Sequence, residues 1–356
     1  MNILAFESSC DETGVAVVSR EGDRFIIKSN IVASQVDTHR LFGGVVPEIA
    51  SRAHAEVISK ITYEALAEAN CALSDIELVA VTANPGLIGA LLVGVNFAKA
   101  LAVSRKIPLV AVDHIKGHIA ASYLLEESPK PPFVALVASG GHTSIYKVSD
   151  YADIETIGST RDDAIGESFD KIGRMIGIPY PAGKGFDELS REGFKLATGE
   201  NEDSYKKYKK SAAYRSSDMT LPTPAIKDDS LDFSFSGLKT AAINLIHKYE
   251  QKGIELPREL FAARYTYEAV EAVAKKISLA LERNEGAGLV ISGGVAANSH
   301  LRQRLAEVAK QKKVKIFIPP ISLCGDNAAM IAAAGYYEYI KGNLADASLN
   351  ASALDA

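Results

Sequence analysis

The chain has 356 residues, of which 47% are apolar and 23% are charged, and its net charge is −5. A chain of this length is too long for one ordinary hydrophobic core, so two domains are favoured. The composition is that of a globular protein. The mild negative charge argues against general affinity for nucleic acid, so a polyanion would have to meet a local basic patch or another subunit.

Cysteine usage and the N-terminus indicate the compartment. The chain has three cysteines, an odd number, and they lie far apart at Cys10, Cys71 and Cys324. This pattern excludes a disulfide framework and fits a reducing compartment. No secretory signal precedes the apolar residues 3–6, and the longest apolar runs, such as 87–95, are interrupted by glycine and asparagine. We therefore expect a cytoplasmic protein with no membrane span.

The first part of the chain predicts an antiparallel meander followed by alternating helices and strands. Strands are predicted at residues 3–6, 14–18, 25–31, 78–83 and 109–112, and helices at 47–69 and 89–104. The strand at 78–83 ends in the turn Asn84-Pro85-Gly86. Strands that alternate with helices imply a parallel sheet.

The same plan restarts after residues 128–132 (SPKPP), the clearest linker in the sequence. Strands are predicted at 133–138, 144–148, 154–158, 288–292 and 315–318, and helices at 163–176, 237–249, 257–284, 298–312 and 326–340. The order of strands and helices is similar in the two parts of the chain, but their amino-acid sequences show no close repeat. Two such α/β lobes enclose a cleft, where ligands usually bind.

His114 and His118 follow the predicted strand at 109–112, four residues apart. On a helix their imidazoles share one face and can chelate one ion; the alternative is two surface or packing histidines. The carboxyl end of a parallel strand is a favoured ligand position, which supports the metal interpretation. A metallopeptidase of the H-E-x-x-H type is disfavoured because Ile115 occupies the position of its general base.

Glycine-rich turns follow two of the predicted strands. Ser139-Gly140-Gly141 would let a ligand approach the backbone. The alternative is that these residues form an ordinary hairpin turn between two strands. Residues 292–298 (SGGVAAN) likewise place a glycine pair and small residues between a predicted strand and a predicted helix. Asn298 either caps that helix or contacts a ribose or base. Asp326 is either the N-cap of the last helix or a carboxylate ligand to a cation.

Three further polar segments are candidates. The turn at 7–14 carries Asp11 and Glu12, either as a solvated hairpin or as a loop that faces the cleft. Residues 162–187 are rich in aspartate and glycine, and their carboxylates suit sugar hydroxyls. Residues 206–210 (KKYKK) interleave basic and aromatic side chains, which favours RNA contact or a solvated charged loop.

Eight motifs of this sequence occur in the order found in the bacterial TsaD family, the tRNA N6-threonylcarbamoyladenosine synthase subunit. They are 7–14 (ESSCDETG), 84–86 (NPG), 113–118 (DHIKGH), 138–143 (ASGGHT), 169–174 (FDKIGR), 233–240 (FSFSGLKT), 293–298 (GGVAAN) and 324–327 (CGDN). The chain therefore resembles this family over about residues 2–340.

The resemblance implies the actin/Hsp70/sugar-kinase (ASKHA) fold. Its two α/β lobes each contain a mixed sheet with an N-terminal antiparallel meander and flanking helices, and they face a central cleft. We expect the first lobe at 1–127, the second at 128–325, a last helix at 326–342 that returns to the first lobe, and a flexible tail at 343–356.

The resemblance also implies ligands. The metal ligands would be His114, His118 and Asp326, with Fe²⁺ as the expected ion and Zn²⁺ or Mn²⁺ as alternatives. Substrate-binding positions would be Val137, Ala138, Ser139, Gly140, Gly141, Asp170, Gly183, Asp187 and Asn298. Where the family usually has glycine and proline beside Gly183, this chain has Ala182 and Lys184.

The implied activity transfers a threonylcarbamoyl group from threonylcarbamoyl-AMP to N6 of adenosine 37 in tRNAs that read codons beginning with A. Asp11 or Glu12 would order the amine or accept its proton, and residues 206–210 are the candidate tRNA contact. The implied partners are tRNA, a TsaB-like relative of the same fold and a TsaE-like ATPase. Alternatives are a small-molecule kinase, with Asp11 as base, and a non-catalytic scaffold.

Overall fold

The computed structural model describes residues 1–200, 204–226 and 228–354. The strands in this part are β1 (Asn2–Glu7), β2 (Glu12–Glu21), β3 (Arg24–Ser34), β4 (Leu78–Asn84), β5 (Leu109–Asp113), β6 (Phe133–Ala138), β7 (Thr143–Asp150), β8 (Asp153–Ser159), β9 (Gly288–Ser292) and β10 (Ile316–Phe317). The helices are α1 (Val36–Arg40), α2 (Pro47–Glu68), α3 (Ile88–Arg105), α4 (His114–Ala120), α5 (Ile165–Met175), α6 (Gly183–Thr198), α7 (Ser204–Tyr208), α8 (Ala212–Arg215), α9 (Ser236–Gln251), α10 (Arg258–Arg283), α11 (Ser299–Lys312) and α12 (Ala328–Ile340).

The first sheet has the order β3-β2-β1-β4-β5. The pairs β1–β2 and β2–β3 are antiparallel, and β1–β4 and β4–β5 are parallel. Side chains of β1 alternate between two cores, because successive residues of a strand point to opposite faces. Ile3 and Ala5 pack towards α12, whereas Leu4 and Phe6 pack towards α2 and α3.

The second sheet repeats this plan in the order β10-β9-β6-β7-β8. The meander β6-β7-β8 is antiparallel, and β9 and β10 join it in parallel. One face of β6 packs into the core of the second lobe, while Phe133 and Val137 on its other face share a core with α4 and α12. The predicted α/β plan of two mixed sheets is confirmed, and a common core joins the sheets.

The last helix, α12, packs on the first sheet. Its alanines and Gly335 allow close approach, because a Cβ at Gly335 would lie 2.6 Å from the Ala80 side chain. The helix begins at Ala328, and Asn327 caps it by accepting a hydrogen bond from the Met330 N–H at 3.1 Å. Asp326 is therefore not the cap, which leaves its carboxylate available for another role.

The pattern of the sequence did not predict α1, α6, α7 or α8. Helix α6 starts with Gly183 and Gly185, two residues of low helix propensity, but Phe186 and Phe194 bury one face of it. Tertiary packing, and not local helix propensity, therefore stabilises α6. Asp163 was expected to be helical, but α5 begins only at Ile165.

The segment predicted to be a flexible tail lies against the first lobe as far as Ser352. The Ala345 N–H donates to the Leu109 carbonyl at 2.8 Å, and the Ser352 N–H donates to the Ala83 carbonyl at 2.9 Å. β5 is an edge strand, so the segment covers an edge that would otherwise expose backbone groups. Residues 355–356 lie outside the described residues, and the lobe boundaries at 127 and 325 stay a prediction.

One helix of the described residues, α3, is long and apolar enough to cross a membrane by length and composition, with a mean hydropathy of 1.4. Our expectation of no span considered only the shorter run 87–95. Val95, Ala98 and Ala102 of α3 lie in the core of the first lobe, and core helices pass the same test. The finding is therefore weak evidence for a span.

Candidate metal centre and ligand cleft

His114, His118 and Asp326 converge beside the first sheet. The Nε2 atoms of His114 and His118 lie 3.5 Å and 3.3 Å from Oδ1 of Asp326. One ligand atom from each residue lies within 4.8 Å of the others. Asp113 starts α4 by accepting hydrogen bonds from two N–H groups of its first turn, and Asn84 holds the other Asp113 oxygen at 2.7 Å. The cap fixes where α4 begins and so the positions of both histidines along it.

Glu7 orients His114 from the side opposite Asp326. Its Oε2 lies 3.0 Å from Nδ1 of His114, and its carboxylate also accepts bonds from the Ser9 N–H and the Thr82 hydroxyl, both at 2.6 Å. A proton on Nδ1 leaves the Nε2 lone pair pointing towards Asp326. This is the outer carboxylate that metal-binding histidines usually have. The only sequence signal for this role of Glu7 is an acid at the end of a predicted strand.

The charges and unsatisfied groups of this cluster fit a divalent cation. Both ring nitrogens of His118 are buried; in the described part of the chain Nδ1 makes no hydrogen bond, and Nε2 faces the Asp326 carboxylate at 3.3 Å. Burial favours the neutral form of His114, but Glu7 and Asp326 outweigh it and raise the pKa of His114 to about 9. Burial alone would raise the pKa of Asp326, yet the two imidazoles lower it. Two nitrogens and one carboxylate are a common donor set for a transition metal, which would replace the proton on Nε2.

Two further acids lie next to this cluster, Asp11 on the loop between β1 and β2 and Glu12 at the first position of β2. Burial, and then the charge of Asp326, raises the pKa of Asp11, and the same causes raise the pKa of Glu12 to about 8. His54 of α2 holds this loop, because its Nε2 contacts the Cys10 carbonyl at 2.9 Å and its Nδ1 contacts the Thr13 hydroxyl at 2.7 Å. In the sequence His54 is one polar residue on an amphipathic helix, and no pattern marks it as part of the site.

The glycine turn after β6 extends the site into the second lobe. The Ser139 N–H donates to the His142 carbonyl at 2.8 Å, and the Ser139 hydroxyl accepts from the His142 N–H at 3.1 Å. Gly140 and Gly141 are exposed, and a Cβ at either would meet no atom within 4 Å. The charge of His142 acts on Asp326, so the turn lies close to that carboxylate. Val137 and Ala138 are buried at the end of β6.

Three of the other candidate residues have structural partners. Asp170 accepts a hydrogen bond from the Ala182 N–H at 2.7 Å, one residue before α6 begins at Gly183. Asp187 accepts from the Ser299 N–H at 3.0 Å and from its hydroxyl at 2.9 Å. Asn298 caps α11 through its side-chain oxygen, as one of our two readings expected. These bonds bring α5, α6 and α11 together.

A cavity of about 550 Å³ opens between α6 and α11, next to Asp187 and Asn298. It is lined by Glu188, Arg191, Glu192, Lys195, Ser204, Ser299, His300 and Gln303. None of the three metal-site residues lines it. The metal cluster and this cavity are therefore separate places. Burial, with a smaller contribution from the charge of Asp11, raises the pKa of Asp170, whose carboxylate accepts a bond from the residue before α6.

Residues 206–210 do not offer the aromatic stacking surface that their sequence suggested. Tyr208 is 1% exposed and packs edge-to-face on Phe194. Lys207 pairs with Glu200 and Lys206 with Glu307. Because the tyrosine belongs to the core, this segment presents only lysines to a nucleic acid.

Comparisons with known proteins agree with this architecture. Residues 26–333 match the family model described as TsaD: tRNA N6-adenosine threonylcarbamoyltransferase. A tRNA N6-adenosine threonylcarbamoyltransferase of Clostridium botulinum (strain 657 / Type Ba4) is 47% identical over 99% of this chain and 96% of the relative. Its counterpart from Bacillus thuringiensis (strain Al Hakam) is 46% identical over 98% of this chain and 95% of the relative.

Solved structures support the fold alone, because their sequences are distant. HypF of T. kodakarensis has a TM-score of 0.58 at 13% identity and covers 98% of this chain and 49% of that one. The Acidaminococcus fermentans (R)-2-hydroxyglutaryl-CoA dehydratase component A has a TM-score of 0.51 at 14% identity, covering 96% and 99%. The expected actin-like architecture is confirmed, and the kinase alternative is not favoured. The chain belongs to the TsaD family, the tRNA N6-adenosine threonylcarbamoyltransferases.

Proposed function

We propose that this protein transfers the threonylcarbamoyl group of threonylcarbamoyl-AMP to N6 of adenosine 37 in tRNAs that read codons beginning with A, and releases AMP. The observation that carries this proposal is the convergence of His114, His118 and Asp326 within 4.8 Å, beside a glycine turn from the other lobe. A cation and backbone donors would then meet where the two lobes face each other.

His114, His118 and Asp326 would hold the metal ion, which when bound supplies Lewis-acid polarisation of the carbamoyl carbonyl. We propose Fe²⁺, with Zn²⁺ or Mn²⁺ as alternatives, because imidazole and carboxylate donors suit all three. Glu7 would keep His114 in the tautomer that binds through Nε2.

The second lobe would bind the nucleotide part. We propose that the backbone from Val137 to Gly141 cradles the carbamoyl–phosphate linkage, since its two glycines leave open space for a ligand. Asp170, Gly183, Asp187 and Asn298 would contact ribose and adenine, beside the cavity between α6 and α11. An exocyclic amine is a weak nucleophile, so positioning must supply much of the acceleration.

In the proposed reaction the adenosine N6 forms a bond to the carbamoyl carbon, and the bond from that carbon to the phosphate oxygen breaks. AMP leaves with the bonding electron pair, and N6 loses one proton. Asp11 or Glu12 would order the amine or accept this proton, because both carboxyls are close enough to Asp326 for its charge to act on them. General-base assistance of this kind contributes about 10²- to 10⁴-fold.

The proposed partners are tRNA, a TsaB-like relative of the same fold and a TsaE-like ATPase, and the proposed location is the cytoplasm. The test is transfer of radiolabelled threonylcarbamoyl from threonylcarbamoyl-AMP to unmodified tRNA by the purified protein with its partner proteins. Label in the nucleoside at position 37 supports the proposal. Phosphorylation of a small molecule from ATP, with no label in tRNA, would contradict it.

A further inference from the structure

An exposed apolar tip lies between the two lobes, on the loop from α1 to α2. Leu41 is 83% exposed and Phe42 is 58% exposed, although large apolar side chains normally find a buried place. Neither helps to bury the core, so folding alone does not account for them. Single exposed apolar residues are common, so the residues around this pair decide whether it marks a binding surface.

The tip is anchored on both sides of the cleft. The loop segment starts beside the catalytic candidates, because the Gln35 N–H donates to the Asp11 carbonyl at 3.0 Å. Across the cleft, Nε of Arg40 donates to the Tyr180 carbonyl at 3.0 Å, and the Arg174 guanidinium donates to the Gly43 carbonyl. The tip is thus held at a fixed place in front of the site.

His39 stiffens the loop from within. It is fully buried; its Nε2 contacts the Gln35 side chain at 3.1 Å, and its Nδ1 accepts from the Val46 N–H at 3.3 Å. A fixed exposed aromatic ring loses little entropy when it binds a partner, which is the property of a preorganised contact surface.

Two arginines flank Phe42. Arg40 and Arg174 are both exposed to solvent; Arg40 pairs with Asp37 at 3.0 Å, so Arg174 carries the net positive charge of this group. Exposed aromatic rings beside arginines bind single-stranded nucleic acid, because bases stack on the ring while the cations meet phosphates. Residues 206–210 lack this combination, since Tyr208 is buried.

We propose that Leu41 and Phe42 form a stacking platform for an unpaired base of the RNA substrate, next to the adenine that enters the cleft, with Arg40 and Arg174 near its phosphates. This inference rests on the proposed function. Its consequence is that Phe42 determines affinity for the loop of the RNA and not for threonylcarbamoyl-AMP.

The chain contains no tryptophan, which allows a direct optical test. Phe42→Trp places a single indole on the platform, and Tyr63→Trp places one on α2 at a residue that is 74% exposed. The full-length variants, with partner proteins where wild-type binding requires them, are titrated with an unmodified anticodon stem-loop and with a blunt RNA duplex. We expect saturable quenching of the indole at 42 by the stem-loop alone, and no change at 63.

Affinity is measured in parallel by anisotropy of labelled stem-loop. Phe42→Ala should weaken binding by about 5- to 150-fold, and Phe42→Tyr should retain it, because one stacked base contributes that range. Metal content, melting temperature and affinity for threonylcarbamoyl-AMP should be unchanged in both variants.

An unchanged affinity of Phe42→Ala for the stem-loop, or equal quenching by the blunt duplex, would overturn the platform. Loss of binding to a partner protein with RNA affinity intact would also overturn it and make the tip a protein contact. Quenching at 42 without any transfer to tRNA would leave the platform standing and count against the proposed function alone.

Discussion

Glu7 and His114 form a buried pair in which the carboxylate Oε2 lies 3.0 Å from the imidazole Nδ1. Burial by itself would raise the pKa of Glu7, but the adjacent His114 lowers it, so the carboxylate stays ionised. The pair links the first strand of the chain to the metal candidates, and it sets which nitrogen of His114 faces Asp326.

Glu7→Gln should weaken metal binding by about 10- to 100-fold, because a neutral amide orients the imidazole less firmly and makes it less basic. The affinity is measured by competition with a chromogenic chelator. Glu77→Gln, at a side chain that is 59% exposed, is the control and should match the wild type. Equal affinity of the Glu7 variant would remove its role as an outer partner of the metal site.

Gly293→Ala should destabilise the protein by more than about 2 kcal/mol. Gly293 has φ +89°, and a Cβ there would lie 2.4 Å from the Ala138 carbonyl oxygen. Gly294→Ala is the matched control, because its Cβ would meet nothing within 4 Å, and it should stay within about 0.5 kcal/mol. Urea unfolding measures both, and similar midpoints for the two variants would contradict the close approach.

His300 should make stability depend on pH. Its ring is buried without a hydrogen bond, and burial, then Arg191, lowers its pKa to about 3. The unfolded ring, with a pKa of about 6.5, binds a proton first. Stability is therefore complete above pH 6.5 and falls as the pH drops from 6.5 towards 3, by at most about 1.4 kcal/mol per pH unit.

His300→Phe keeps the ring against Phe194 and removes the proton site. Its unfolding free energy should change less than that of the wild type between pH 7.5 and 5.5, by about 1.4 kcal/mol. An unaltered slope in His300→Phe would show that this ring does not titrate in that window.

Asn298 has a cap role and a proposed ligand role, and two variants separate them. Serine also caps helices, so Asn298→Ser should keep stability, whereas Asn298→Ala should cost about 0.5–2 kcal/mol. Both variants lose the amide and should bind threonylcarbamoyl-AMP more weakly. The affinity for threonylcarbamoyl-AMP is measured by calorimetry. A wild-type affinity in Asn298→Ser would show that Asn298 only caps the helix and does not bind the ligand.

Hydrophobic patterning predicted most of the strands and long helices, because period-2 and helical apolar patterns reflect burial on known faces. The two sheets, for example, follow from repeated meanders. Helix α6 was missed because its glycines disfavour a helix locally, and only packing of Phe186 and Phe194 stabilises it.

The site was predictable only where its residues are close in sequence. His114 and His118 share one turn of α4, so spacing alone suggested a shared ion. Asp326 came from the family resemblance. Glu7 lies 107 residues from His114, and His54 lies 44 residues from Cys10, so only the tertiary fold brings these partners together.

The most direct test compares the wild type, His114→Ala and His247→Ala for bound metal and for threonylcarbamoyl transfer to tRNA in the presence of the partner proteins. Metal content is measured by mass spectrometry and transfer by radiolabel. We expect His114→Ala to lose the metal and to slow transfer by about a hundredfold or more, since Lewis-acid stabilisation is worth several kcal/mol. His247→Ala should behave as the wild type. Full metal content and unchanged transfer in His114→Ala would contradict a metal-dependent acyl transfer at this site.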